Sequence, residues 1–194
     1  MRKASLSRKT NETSVNLSLQ LNGEGTSTIQ TGIGFLDHML TLFAKHGGIN
    51  LDISCNGDLE VDQHHTVEDI GIVLGHTLRE ALGNKEGITR YANVMSPMDE
   101  ALSSIALDIS GRSYLVYNVE GLKEKVGTFD TELVLEFFQA FTSNAQVTLH
   151  INLLYGVNSH HIIESIFKGF GRVIRQGCSI DPNQKGIPST KGSL

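Results

Sequence analysis

Phe35-Leu36-Asp37-His38-Met39-Leu40 and Leu133-Val134-Leu135-Glu136-Phe137-Phe138 open two segments that align without a gap as far as Ile53 and Ile151. Phe43 meets Phe141, Leu51 meets Leu149, and Ile53 meets Ile151. Further out, His64-His65-Thr66-Val67-Glu68 meets His160-His161-Ile162-Ile163-Glu164 after a small deletion in the second copy, and Gly75 falls opposite Gly171. Upstream, the strand-like Ser14–Leu21, ending in Asn22-Gly23, has its counterpart in Ser104–Ile109, ending in Ser110-Gly111. Any two amphipathic helices align loosely, so the helical segments alone prove little. A paired HHxxE at matching places in both copies marks a true internal repeat.

Each half reads strand, strand, helix, strand, helix. Residues 13–22 carry Val15, Leu17, Leu19 and Leu21 on alternate positions, the pattern of a half-buried strand. Residues 34–46 place Phe35, Leu36, Met39, Leu40 and Phe43 at helical spacing. Residues 49–55 alternate again, and 65–82 put Val67, Ile70, Val73, Leu74, Leu78 and Leu82 on one helical face. The second half repeats the scheme at 102–109, 113–119, 131–144, 147–154 and 160–177. This order predicts an α/β fold, an α+β two-layer sandwich of two fused similar halves, each a small sheet covered by helices on one face. The halves are set at 1–92 and 93–180. Residues 181–194, with Pro182, Gly186, Pro188 and Gly192, read as a tail without regular structure.

Composition narrows the classes of function. A formal charge of -5 gives no reason to expect a nucleic-acid or membrane partner. No apolar run approaches the roughly 20 residues a membrane-crossing helix needs. The charged start, Met1-Arg2-Lys3, has no apolar stretch behind it, so no signal peptide is expected. Two cysteines, Cys55 and Cys178, outside any CxxC spacing, fit a reducing cytoplasm better than a disulfide framework. Eight histidines are many for this length, and their placement matters more than their number.

In each HHxxE the first His and the Glu are four apart and share a helix face, so two ligands one turn apart can hold a divalent cation. The second His, rotated about 100° away, serves a different direction. The preceding helices add His38 and, at the aligned place, Glu136. The eight candidates form two inferred quartets: His64, Glu68, His161 and Glu136 on one ion, and His160, Glu164, His65 and His38 on the other. The crossing could be within a chain or between chains. Imidazole and carboxylate without thiolate favour Mn, Fe or Zn over Ca or Mg. A lone helical His is more often packed or solvated than ligating. His46, His76 and His150 are therefore read as structural.

The strings Gly34-Phe35-Leu36-Asp37-His38-Met39-Leu40, Asp62-Gln63-His64-His65-Thr66-Val67-Glu68-Asp69-Ile70-Gly71, Asp108-Ile109-Ser110-Gly111-Arg112, Asn158-Ser159-His160-His161-Ile162-Ile163-Glu164 and Pro188-Ser189-Thr190-Lys191-Gly192 resemble the imidazoleglycerol-phosphate dehydratase family. The resemblance runs from Arg8 to Lys191. It implies two Mn²⁺ per active site, metal sites between subunits, and a closed homo-oligomeric shell of about twenty-four chains. It implies Glu12 as the catalytic base and Arg90, Arg112, Lys168, Ser189 and Lys191 as the phosphate-binding set. Asp99, which precedes the second copy's strand as Glu12 precedes the first, is a further candidate. Glu136 departs from a histidine common in the family, and Thr190 from a serine.

The implied substrate is an imidazole ring with a phosphorylated glycerol side chain. Its C–H proton lies beside no carbonyl. Metals on the ring nitrogens would give an imidazolate that expels the adjacent hydroxyl, leaving a diazafulvene-like intermediate whose neighbouring C–H is acidic. Two rival readings are a metallohydrolase, for which the HExxH pattern is missing, and a metal-storage shell, which has no use for Glu12, Arg90, Arg112 or Lys191.

Overall fold

The computed structural model describes residues 2–194. In the first half, β1 (Lys3–Lys9) and β2 (Thr13–Gln20) form a hairpin, β3 (Ser27–Gln30) leads into α1 (Gly34–Gly47), and β4 (Asn50–Gly57) leads into α2 (His64–Leu82). The second half repeats this with β5 (Tyr91–Met98), β6 (Ala101–Asp108), β7 (Tyr114–Asn118), α3 (Leu133–Ala145), β10 (Thr148–Tyr155) and α4 (Ser159–Cys178). A small ribbon, β8 (Lys125–Val126) and β9 (Phe129–Asp130), is inserted before α3.

The two sheets have the same topology, β1-β2-β4-β3 and β5-β6-β10-β7. β3 runs parallel to β4, and β7 to β10, because a helix carries the chain across between them. The other pairings are antiparallel. Register puts Val15 opposite Cys55, Leu17 opposite Ile53 and Leu19 opposite Leu51, so the alternation seen in the sequence turns one apolar face inward. The outer strands β1 and β5 are additions to the expected scheme. β1 offers only Ala4 and Leu6 to the interior, too few apolar residues to announce a strand. β5 opens at Tyr91, so the second sheet begins there.

Helices of one half pack on those of the other, α1 on α4 and α2 on α3. Phe43, Phe137, Phe138, Phe141, Phe167 and Phe170 fill the space between, fully buried, with Phe43 stacked on Phe170 at 4.7 Å. The repeat explains the closeness of these crossings. A Cβ at Gly75 would lie 2.6 Å from the carbonyl oxygen of Phe141, and one at Gly171 would lie 2.5 Å from that of Phe43. Backbone cannot yield as a flexible side chain can. Gly171→Ala is therefore expected to destabilise the protein by about 1–3 kcal/mol through overpacking, read as a lower denaturation midpoint. An unchanged midpoint would show that the α1–α4 contact relaxes freely.

These contacts also fix direction. Gly71 and Gly75 of α2 meet successive turns of α3, and His38 and Phe43 of α1 meet successive turns of α4, so each pair is parallel. β4 and β10 carry the chain back before α2 and α4 begin. The four helix N-termini thus gather at one end of the molecule. The tail beyond α4 has no strand or helix, as expected, yet it is docked. Gly87 N–H donates to Gly186 O at 2.9 Å, and Asp181 N–H donates to Gly87 O at 2.8 Å.

Candidate active site

Local capping sets the two HHxxE motifs on the first turns of their helices. The Asn158 side chain accepts from the backbone N–H of His160 and His161, and Asp62 accepts from that of His64 at 2.7 Å. On α4, His160 Nε2 lies 3.1 Å from Glu164 Oε2, and His38 Nε2 from α1 lies 3.6 Å from the same oxygen. The three ligand atoms all fall within 4.8 Å of one another. Ligand atoms at about 2.0–2.2 Å from one ion lie at most about 4.3 Å apart, so a small rotation closes the set. Burial opposes ionisation of Glu164, but Lys168 Nζ at 2.6 Å and His160 prevail and hold its carboxyl below the usual range. Two imidazole nitrogens and an ionised carboxylate, without thiolate, suit a divalent transition metal.

The other candidates divide differently. His64 and Glu68 lie 3.9 Å apart on α2, both half-exposed. Glu136 is the first-turn carboxylate of α3, which packs on α2 as α1 packs on α4. Among the described residues it makes no ion pair. His65 turns to Asp58, with Nδ1 at 2.9 Å from Oδ2, while its Nε2 faces Glu12 Oε1 at 3.8 Å. His161 is arranged alike: Nδ1 is 2.7 Å from Glu100 Oε2, and Nε2 is 3.9 Å from Asp99 Oδ2. The hydrogen bond to Asp58 raises the pKa of His65, and that to Glu100 raises that of His161. Glu100, bonded by His161 and the Asn158 N–H, is held down at about 2. One chain therefore brings together three of one inferred quartet and two of the other. Asp58 and Glu100 escaped the sequence reading, since neither stands in a metal-binding motif.

The anion-binding candidates meet elsewhere. A cavity of about 690 Å³ is lined by Arg90, Arg112, Ser189 and Lys191 together with Tyr91 and Pro188. Arg90 has left-handed backbone, φ 71°. Asp108 fixes it through both Nε (2.7 Å) and Nη2 (3.3 Å), and Nη1 donates to Pro188 O at 2.7 Å. That contact ties the tail to the pocket. Lys168, the fifth member of the predicted set, is not there; it sits on Glu164, beside His160 and His38. Arg90 N–H donates to Gly177 O, near the far end of α4 from His160. At 1.5 Å per residue the helix separates the two places by about 25 Å.

A family profile described as imidazoleglycerol-phosphate dehydratase matches residues 31–174. The chain is 93% identical over its full length, and over all of the relative, to an imidazoleglycerol-phosphate dehydratase of Oceanobacillus iheyensis. It is 59% identical to that of Clostridium novyi, over all of this chain and 98% of the relative. The crystal structure of the Staphylococcus aureus dehydratase superposes with a TM-score of 0.84 at 46% identity, covering 92% of this chain and 99% of that one. The Pyrococcus furiosus enzyme, solved in complex with (S)-C348, gives 0.84 at 37% identity, over 97% and 100%. The chain belongs to the imidazoleglycerol-phosphate dehydratase family, hydro-lyases of histidine biosynthesis.

Proposed function

We propose that the chain dehydrates D-erythro-imidazole-glycerol phosphate to imidazole-acetol phosphate with two Mn²⁺ per site, and that each site is shared between subunits of a closed shell. The observation that carries this reading is the presence of two unlike binding ends on one chain. One end gathers imidazoles and carboxylates for a cation; the other gathers Arg90, Arg112 and Lys191 for an anion. A storage shell needs only the first. The substrate's ring and phosphate are joined by three carbons, about 7 Å at ordinary bond lengths, far less than the span of α4. A single substrate reaches both ends only if the phosphate pocket of one subunit meets the metal end of another.

His38, His160 and Glu164, joined by His65 of another chain, would hold one ion; His64, Glu68 and Glu136, joined by His161 of another chain, would hold the second. Bound there, the cations would supply Lewis acidity to the two ring nitrogens. The protein's own groups do the rest. Arg112 and Lys191 bind the phosphate, while Asp108 and the Pro188 carbonyl hold the Arg90 guanidinium, and its positive charge, at the cavity wall. Lys168, on α4 beside Glu164, adds charge where the metal end meets that pocket. Glu12, facing the Nε2 of His65, takes the C–H proton after the adjacent hydroxyl has left. Asp99 occupies the corresponding place beside His161. No helix of the described residues is long and apolar enough to cross a membrane. Cys55 and Cys178 are free, their thiols pushed up by burial to about 11 and 12, and we place the protein in the reducing cytoplasm.

Turnover of imidazole-glycerol phosphate by metal-stripped protein, with and without added Mn²⁺, tests the assignment. The expected result is activity that returns only with the metal. A folded, Mn-loaded protein that leaves this substrate untouched would overturn it.

A further inference from the structure

Each half presents a histidine clamped between two carboxylates. In the first, Asp58 takes the Nδ1 of His65, and Glu12 stands 3.8 Å from its Nε2. In the second, Glu100 takes the Nδ1 of His161, and Asp99 stands 3.9 Å from its Nε2. The geometry is the same, but the repeat does not supply the Nδ1 partner from equivalent places. Asp58 follows β4, whereas Glu100 lies in the β5–β6 turn. That turn corresponds to the β1–β2 turn, from which Glu12 reaches the opposite nitrogen. Duplication of an ancestral half copies positions, as it does for Glu12 and Asp99; the Nδ1 partners differ in position, yet the arrangement around the ring is common.

Both Nδ1 partners are held firmly. Asp58 N–H donates to Glu12 O at 3.1 Å, and Val61 N–H donates to Asp58 O at 2.9 Å. The second oxygen of Glu100 accepts from Asn158 N–H at 2.8 Å and Val157 N–H at 3.2 Å. Asn158 is itself the N-cap of α4, so the turn bearing Glu100 is bolted to the start of the helix that presents His161. A carboxylate on Nδ1 makes that nitrogen the donor. The lone pair is then left on Nε2, and the ring plane is fixed.

We propose that Asp58 and Glu100 are positioning residues, which lock His65 and His161 in the Nδ1-donor form and so reserve Nε2 of each for a metal ion. The assignment rests on the proposed function in taking both histidines as ligands. Neither carboxylate touches the metal or the substrate, and both act through the rings they orient.

The test is calorimetric titration of metal-stripped protein with Mn²⁺ alone. Asp58→Ala and Glu100→Ala are each expected to weaken Mn²⁺ binding by about 10- to 100-fold. Asp58→Asn and Glu100→Gln keep an acceptor for Nδ1–H and are expected to recover part of that loss; being isosteric, they also decide the matter where an alanine variant does not fold. In a His65→Ala background, Asp58→Ala is expected to add no further loss, because its effect passes through that ring. Unchanged Mn²⁺ affinity in the Asp58 and Glu100 variants, with wild-type binding intact, would overturn the positioning role alone. So would an equal loss with and without His65. Failure of the wild-type protein to bind Mn²⁺ would instead remove the proposed function, and this assignment with it.

Discussion

Glu12→Gln is expected to lower turnover of imidazole-glycerol phosphate by about 10²- to 10⁴-fold, the range for loss of a positioned general base, with metal content and assembly unchanged. The carboxylate stands in the turn between β1 and β2, more than half exposed. Its removal therefore leaves no cavity and no orphaned buried partner, and stability should move little. Glutamine matches the size but cannot accept the proton. The side chain faces Nε2 of His65, the nitrogen proposed to carry metal, so a substrate ring bound there would offer its side-chain carbons to this residue. Product formation is measured beside Mn content and sizing. Full activity in a correctly assembled, Mn-loaded variant would sink the assignment of the base.

Much of the architecture was written in the sequence because the chain states it twice. The 3.6-residue periodicities of α1 to α4 and the alternation in β2, β4, β6 and β10 were legible. So was the pairing of Gly75 with Gly171, whose meaning emerged only when both proved to lie against the facing helix backbone. The edge strands β1 and β5 were hidden, because a half-exposed strand flanked by lysine or tyrosine needs few apolar residues. At the site, helix spacing alone marks His160 with Glu164 and His64 with Glu68. The meeting of His38 with that first pair depends on α1 crossing α4, which periodicity does not disclose. Asp58 and Glu100 were silent for a similar reason: the contact of Glu100 with His161 joins a hairpin turn to a helix 61 residues away. The phosphate set came from resemblance rather than from patterning. Arg90, Arg112, Ser189 and Lys191 do share one cavity, and Lys168 stands apart from it.

That separation leads to the second large effect. His160→Ala disables the metal end and leaves the phosphate pocket whole; Arg112→Ala does the reverse. Each variant alone is expected to be almost inactive, the first for want of a ligand in the three-residue cluster. The second would lose charge-assisted contacts to the phosphate, which are roughly twice as strong as neutral hydrogen bonds. If every site joins the metal end of one chain to the pocket of another, a mixed shell contains sites in which both parts are wild type. Half of each kind of part is intact in an equal mixture, so independent pairing restores about a quarter of wild-type turnover. No single-chain site could do this, since every chain then carries one lesion. The decisive measurement is therefore the activity of shells co-expressed from the His160→Ala and Arg112→Ala chains. The shared-site account predicts recovery toward a quarter of wild type, whereas mixed shells as inactive as either parent would contradict it.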